Sequence, residues 1–212
     1  MSRLFRSATF SPRRMLTLFI FVLAPLFGFG MLADDVIEKE LFSFDGPVLQ
    51  FMHSHASPFL DRVMALSSRA GSALVLVPLI VAVAAWLFWR GERSRTWFWV
   101  LSTGGAATLN LLAKYSFARA RPALWTSILP ETTYSFPSGH AMASMAVNAA
   151  IVCLLWRQGC WRWIALVFGG LFVLVVGSSR VYLGVHFPSD VIAGWLASLA
   201  WVTGLAFLLR IR

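Results

Sequence analysis

Residues 70–89 read AGSALVLVPLIVAVAAWLFW, a run without a single charged side chain that is bounded by Arg69 and Arg90. A hydrocarbon core about 30 Å thick is crossed by a helix of about 20 apolar residues, so this run has the length of one membrane span. Five other runs share this character wholly or nearly so. The six predicted spans are 15–33, 70–89, 96–113, 141–156, 163–179 and 191–209. The sequence therefore predicts an all-α, polytopic membrane protein with six transmembrane helices.

The composition agrees with this class. The chain of 212 residues is 58% hydrophobic and 13% charged, whereas soluble domains carry about 25% charged residues. Tryptophans stand at the ends of the apolar runs, as in the aromatic belts of membrane proteins. A net charge of +9 is compatible with nucleic-acid binding, but the basic residues form short clusters between apolar runs. We therefore expect membrane lipids, and no nucleic acid, as partners.

The distribution of charge predicts the orientation. With the N-terminus inside, the inside segments hold eleven basic residues and one acidic residue, and the outside segments hold seven basic and eight acidic residues. Positive charge accumulates on the cytoplasmic side of membrane proteins. Both termini are therefore predicted to be cytoplasmic, as an even number of spans requires.

Three segments are then extracytoplasmic. Residues 34–69 carry apolar residues among charged ones and are predicted to form short amphipathic helices on the membrane surface. Residues 114–140 and 180–190 are predicted to be loops beside the spans. Neither an internal repeat nor a low-complexity segment interrupts the chain, so residues 1–212 are predicted to form a single membrane-embedded domain.

Cations cluster in these outer loops. Lys114 and Arg121 are seven residues apart, so they share a face if the helix continues through them, and Arg180 ends the fifth span. Guanidinium groups pair with two phosphate oxygens at once, and a lysine adds a point charge. Together these residues indicate a site for a multiply charged anion, although each alone also fits contact with lipid headgroups.

The stretch PSGH, residues 137–140, opens the fourth span. A helix N-terminus attracts anions through its free N–H groups, and Gly139 lets an anion approach the backbone. Ser138 is also expected to cap the helix. His140 has no such structural role, and its side chain is expected beside the bound anion.

His186 and Asp190 are four residues apart at the start of the sixth span. A carboxylate at this distance can fix the tautomer of the imidazole and support its positive charge. The alternative is that Asp190 only faces the positive end of the helix dipole and that His186 is an interfacial residue.

These three groups resemble the signature of the type 2 phosphatidic acid phosphatase superfamily. Lys-x6-Arg-Pro corresponds to 114–122, Pro-Ser-Gly-His to 137–140, and Ser-Arg-x5-His-x3-Asp to 179–190. Every specified position of the signature is matched, in order and at the family spacing. The layout of six spans and the chain length also look like those of bacterial members.

The resemblance implies roles for these residues. His186 would be the nucleophile and form a phosphohistidine, Asp190 would orient it, and His140 would protonate the leaving oxygen and later activate water. The groups implied to hold the phosphoryl oxygens are Lys114, Arg121, Ser138, Gly139 and Arg180. Neither a metal nor a cofactor is implied, since the cations take the place that Mg²⁺ has in kinases. His53 and His55 lack an evident third ligand, and a surface-loop role is expected for them.

The implied activity is metal-independent hydrolysis of a lipid phosphate at the periplasmic face of the cell inner membrane. Undecaprenyl diphosphate and phosphatidylglycerophosphate fit this location best, with phosphatidic acid and lipid A phosphates as further options. A lipid phosphotransferase using the same intermediate and an anion transporter are the alternatives; a vanadate-dependent haloperoxidase is disfavoured because those enzymes are soluble. Two histidines with opposite protonation states and ordinary pKa values near 6.5 predict a bell-shaped pH–rate profile.

Overall fold

A computed structural model describes residues 12–40 and 42–211 of the chain. This part of the chain contains helices and no β-strand, so the all-α prediction is confirmed. The positive charges at Arg3, Arg6 and Arg212, which contributed to the predicted orientation, lie outside the described residues. The helices are α1 (Pro12–Leu18), α2 (Ala24–Ile37), α3 (Asp45–Ser54), α4 (Pro58–Ala70), α5 (Ala73–Trp89), α6 (Arg93–Phe117), α7 (Gly139–Leu155), α8 (Cys160–Ile164), α9 (Gly170–Tyr182) and α10 (Pro188–Leu208).

Several of these helices join into segments of membrane length. The π-helical turn Phe19–Leu23 connects α1 to α2, and a second one, Ala165–Gly169, connects α8 to α9. Among the described residues, four segments are long and apolar enough to cross a membrane. They are Met15–Ile37, Pro58–Trp89, Cys160–Tyr182 and Pro188–Leu208.

The two remaining predicted spans correspond to α6 and α7. α7 is apolar but has only 17 residues, and α6 has 25 residues but includes polar ones such as Thr103 and Asn110. α7 packs against α5, α6, α9 and α10, so it lies inside the bundle and contacts protein on most sides. Helices that face protein need less hydropathy than helices that face lipid. Each predicted span therefore overlaps a helix, and four of the described segments have the length and hydropathy of a membrane span.

Small side chains let α7 and α10 approach each other closely. A Cβ at Gly194 in α10 would lie 2.9 Å from the carbonyl oxygen of Ser138 and 3.1 Å from Cβ of Ala141 in α7. Small residues at helix contacts are a general device for close packing in membranes. Here the close approach fixes the start of α7 against the start of α10.

The segment 34–69 contains two short helices beyond α2, as predicted. α3 packs against α9 and α10 and buries Leu49 beside Val181 and Val191. α4 packs along α9, and the hydroxyl of Tyr182 donates to Oδ1 of Asp61 at 2.7 Å. These helices thus cover the end of the bundle at which α9 ends and α10 begins.

Candidate active site

The three sequence motifs meet at the end of the bundle where α6 and α9 end and α7 and α10 begin. NH1 of Arg121 lies 3.0 Å from Nε2 of His186. The backbone N–H of Ser138 donates to the carbonyl oxygen of Asp190 at 3.0 Å. Residues from all three motifs therefore contact one another in a single polar cluster.

Lys114 and Arg121 reach this cluster by an unexpected route. Their spacing placed them on one face of a continuing helix, but α6 ends at Phe117, and Ala118 adopts a left-handed conformation with φ of 46°. The helix does not continue through Arg121, so the two residues do not share a helical face. The hydroxyl of Thr133 joins the two cations instead, at 3.0 Å from NH2 of Arg121 and 3.4 Å from Nζ of Lys114.

The start of α7 also differs in one respect from the prediction. Ser138 occupies the N-cap position, but its hydroxyl makes no capping hydrogen bond. It is buried, and it has no hydrogen-bond partner in the described part of the chain. The predicted capping role is therefore wrong, and the hydroxyl is free to bond another oxygen. A Cβ at Gly139 would lie 3.0 Å from Oδ1 of Asn110, whose amide donates to the carbonyl of Pro137 at 3.0 Å.

His186 and Asp190 form a fully buried pair. Nδ1 of His186 lies 3.3 Å from Oδ2 of Asp190, and the same oxygen accepts hydrogen bonds from the hydroxyl of Ser135 and, at 2.9 Å, from the N–H of Phe187. A proton on Nδ1, facing the carboxylate, leaves a lone pair on Nε2. Nε2 points to Arg121, so the potential nucleophilic atom faces the cations.

The environment of His186 keeps its imidazole neutral. Burial is the largest cause that lowers the pKa of His186, Asp190 opposes the shift, and the charges of Arg121 and Arg180 add to it, so that the pKa falls to about 4. A lowered pKa means that the neutral form persists to lower pH and is lost only as the pH falls through about 4. The neutral form of His186 therefore persists well below the ordinary histidine value. Burial and the charge of Arg180 also lower the pKa of His140, to about 3, so the expected bell-shaped pH–rate profile requires that a bound anion raise the pKa of His140 again.

We predict that the imidazole resonance of His186 titrates with a midpoint near pH 4 in the detergent-solubilised protein. NMR of protein with labelled histidines measures this midpoint without interference from titration of a substrate phosphate. The spectrum of His186→Asn assigns the resonance, because it lacks that signal alone. A midpoint near the ordinary value of about 6.5 would contradict the prediction.

Two arginines and His140 surround one carboxylate. NH2 of Arg121 lies 2.8 Å from Oε2 of Glu131, and NH2 of Arg180 donates to Oε1 of the same side chain. Nδ1 of His140 lies 3.8 Å from Oε1. We call the side chains of Arg121, His140 and Arg180 the anion pocket, because they are arranged around two oxygens of one anionic group.

From the sequence, Glu131 is only one of the eight acidic residues in the outside segments. A signal for its role was present, since it is the only acid in the segment 114–140. Burial alone would raise the pKa of Glu131, but the nearby charges of Arg180 and Arg121 outweigh burial and hold the pKa below its ordinary value. The side chain is therefore a carboxylate at neutral pH and balances the positive charge of the anion pocket.

The other histidines lie away from this cluster. The ring of His53 stacks on Trp125 with 4.1 Å between centroids, and the ring of His55 packs against Phe51 at the end of α3. Within residues 12–40 and 42–211, no group of three or more His, Cys, Asp or Glu side chains is arranged to hold a metal ion.

Comparisons with known proteins agree with the fold. Residues 95–210 match the family described as the PAP2 superfamily. Phosphatidylglycerophosphatase B of Bacillus subtilis is 32% identical over 146 residues, which cover 67% of this chain and 71% of that protein. An undecaprenyl-diphosphatase of Sulfolobus acidocaldarius is 35% identical over 152 residues, which cover 69% of each chain. The crystal structure of a transmembrane PAP2-type phosphatidylglycerolphosphate phosphatase from Bacillus subtilis superposes with a TM-score of 0.80 at 27% identity, covering 90% of this chain and 96% of that one.

The bundle of apolar helices and these relatives define the class of the protein, which is an integral membrane phosphatase. The match covers more than half of the chain, and the chain belongs to the PAP2 superfamily. The resemblance inferred from the three motifs is thereby confirmed.

Proposed function

We propose that this protein hydrolyses the phosphate monoester or diphosphate of a membrane lipid through a phosphohistidine on His186. The observation that carries the proposal is the carboxylate of Glu131 in the anion pocket, with its two oxygens on Arg121 and Arg180. Two oxygens of a phosphoryl group present a similar pattern to the same guanidinium groups. A phosphoryl group in this position would also stand beside Nε2 of His186, since Arg121 contacts both.

In the proposed first step, the phosphoryl group replaces the carboxylate of Glu131. Arg121, Arg180 and Lys114 neutralise its oxygens, and the buried hydroxyl of Ser138 and the N–H of Gly139 bond them at the start of α7. Fixed donors of this kind stabilise the charge of the transition state. Nε2 of His186 then bonds to phosphorus, the bond between phosphorus and the leaving oxygen breaks, and His140 donates a proton to that oxygen.

In the second step, water attacks the phosphohistidine. His140, now neutral, accepts a proton from the water as the new bond to phosphorus forms, and the bond from phosphorus to Nε2 of His186 breaks. Asp190 supports the positive charge that the imidazole carries in the intermediate. The proposed roles require neither a metal nor a cofactor, because side chains of this chain supply each positive charge and each proton.

A lipid substrate fits the surroundings of the site. A cavity of about 290 Å³ adjoins Arg121 and is lined mainly by apolar side chains, including Phe42, Leu49, Leu124 and Phe187. The relatives act on phosphatidylglycerophosphate and undecaprenyl diphosphate, as their names state. We propose one of these two lipids as the substrate, an active site at the periplasmic face of the inner membrane, cytoplasmic termini, and one phosphatase domain over residues 1–212.

The proposal is tested with purified protein in detergent. Phosphatidylglycerophosphate, undecaprenyl diphosphate, phosphatidic acid and lipid A are each assayed for phosphate release with EDTA present. Release of phosphate from one of the first two lipids is expected. Loss of activity with EDTA would contradict the metal-free mechanism, transfer of the phosphate to an acceptor lipid would indicate a phosphotransferase, and phosphate flux into liposomes without hydrolysis would indicate a transporter.

The Glu131→Gln variant is expected to bind phosphate more tightly than the wild type. The substrate no longer competes with a carboxylate that receives charge-assisted hydrogen bonds, each worth about 1.5–3 kcal/mol. We expect KM, and the inhibition constant of inorganic phosphate, to fall by about 10-fold. Glu40→Gln, which removes an exposed acid, serves as the control. A higher KM in Glu131→Gln would show instead that Glu131 contributes to substrate binding.

A further inference from the structure

A largely buried chain of alternating charges continues from the His186–Asp190 pair. NH1 of Arg119 lies 2.6 Å from Oδ1 of Asp190, and NH2 of Arg119 lies 3.0 Å from Oδ2 of Asp45. Neither Arg119 nor Asp45 is a specified position of the three motifs: Arg119 is one of the six unspecified residues after Lys114, and Asp45 lies in the segment 34–69. The order Asp45, Arg119, Asp190, His186 thus links α3 to the proposed nucleophile.

Asp45 is fixed by the start of α10. Its side chain is buried, with 4% of the residue exposed. Oδ1 accepts a hydrogen bond from the N–H of Ser189 at 2.9 Å, and Oδ2 accepts one from the hydroxyl of Ser189 at 2.6 Å. Ser189 immediately precedes Asp190. Because these bonds join α3 to the first turn of α10, Asp45 sets the position of the helix end that carries Asp190.

Arg119 is held in one orientation by its neighbours. Its guanidinium lies over the ring of Phe187 at 4.2 Å from the centroid, and a second hydrogen bond from NH1 reaches the hydroxyl of Ser189 at 2.8 Å. A planar fork with both ends bound to carboxylates cannot rotate without losing charge-assisted bonds. Arg119 therefore restrains the carboxylate of Asp190 from the side opposite to His186.

We propose that Arg119 and Asp45 are positioning residues for catalysis: Asp45 holds Arg119, and Arg119 holds Asp190 so that Oδ2 faces Nδ1 of His186. With Oδ1 bound to Arg119, Oδ2 is the oxygen left for the imidazole, the hydroxyl of Ser135 and the N–H of Phe187. The inference rests on the proposed function, since it assigns a purpose to the geometry of the proposed nucleophile. Arg119 contacts Asp190 and not the anion pocket, so it acts on turnover rather than on binding of the phosphate.

The test uses three variants of the full chain: Arg119→Met, Arg119→Lys and Asp45→Asn. Each is assayed for phosphate release from whichever of phosphatidylglycerophosphate or undecaprenyl diphosphate the wild type hydrolyses. For Arg119→Met we expect kcat to fall by about 100-fold while KM changes by less than about 3-fold, by analogy with the loss of other orienting carboxylate contacts. Arg119→Lys, which keeps the charge but loses the fork, is expected to recover about 10-fold of that loss.

Asp45→Asn is expected to lower kcat by about 10-fold, because the amide is nearly isosteric but loses the charge that binds Arg119. Arg62→Met removes an exposed arginine of α4 and is the matched control for loss of positive charge. Arg121→Met is a comparison in which KM, rather than kcat, is expected to change, because this variant loses a contact to the phosphate. The titration midpoint of His186 is a second readout, and it does not depend on turnover. Asp45→Asn and Arg119→Lys are each expected to shift this midpoint, whereas Arg62→Met is expected to leave it unchanged.

The outcomes separate this inference from the proposed function. If the wild type releases phosphate and is labelled on His186, but Arg119→Met and Asp45→Asn keep wild-type kcat, the positioning role is overturned and the proposed function stands. A rise in KM at unchanged kcat in Arg119→Met also overturns it, because Arg119 would then bind substrate. If Arg119→Met does not fold, the kcat and the titration midpoint of the two milder variants decide. Absence of hydrolysis by the wild type would overturn the proposed function itself.

Discussion

Replacement of His186 by asparagine is expected to abolish phosphate release, with kcat/KM reduced by about 10,000-fold, as for loss of the nucleophile in other enzymes with covalent intermediates. Asparagine retains an N–H that can face Asp190, and it fills part of the buried space of the imidazole. It lacks a nucleophilic nitrogen in the position of Nε2. The fold is therefore expected to persist while the bond to phosphorus cannot form.

Two measurements check this prediction. Phosphate release is compared between His186→Asn and wild type, and protein quenched during turnover of a ³²P-labelled lipid is examined for phosphohistidine, which is stable to alkali and labile to acid. His55→Asn changes an exposed histidine and is the control. Label on the protein in His186→Asn, or turnover within about 10-fold of the wild type, would rule out His186 as the nucleophile.

The Arg180→Lys variant is expected to lose about 100- to 1000-fold in kcat/KM, although it conserves the charge. Arg180 is buried, with 2% of the residue exposed, and its two terminal nitrogens donate in different directions, one to Ser68 and one to Glu131. An ammonium group on a single stem cannot span both partners. The phosphoryl oxygens would then lose a donor whose position is fixed by Ser68.

This effect is measured as kcat/KM for the lipid and as the inhibition constant of inorganic phosphate, both of which report occupancy of the anion pocket. Arg69→Lys, at the exposed end of α4, is the matched substitution. A thermal unfolding midpoint close to that of the wild type distinguishes a local loss from global destabilisation. Retention of kcat/KM within about 3-fold would mean that charge alone suffices at this position, contrary to the proposed need for a donor whose position Ser68 fixes.

The proposed roles of the different parts of the site connect these predictions. Substitutions in the anion pocket are expected to change KM and inhibition by phosphate. Substitutions of Arg119 or Asp45 are expected to change kcat, and loss of His186 is expected to remove the covalent intermediate. Glu131 is the exception, because its removal is expected to improve binding. Glu131 bridges Arg121 and Arg180, and we propose that a phosphoryl group replaces its carboxylate when the substrate binds.

The motif residues could be named from the sequence because their spacing repeats a known pattern over 114–190. Two local features differ from what the sequence indicated. The helix α6 ends before Arg121 because Ala118 turns the chain out of the helix, and Ser138 leaves its hydroxyl without a cap bond although it occupies the N-cap. Glu131 and Asp45 were visible as outer acids, but nothing in their neighbouring residues indicates which cations they contact.

The sequence by itself determined the helical class and the approximate position of the apolar helices, because the thickness of a hydrocarbon core sets the length of an apolar run along the chain. It also determined the identity of the motif residues. Only the tertiary structure decided which charges meet. Arg119 reaches Asp190 across 71 positions and Asp45 across 74, and Asp45 reaches Ser189 across 144. Such contacts depend on how the helices pack and where the loops turn. Packing brings together residues that are far apart in the sequence, and local sequence patterns do not indicate which of them will meet.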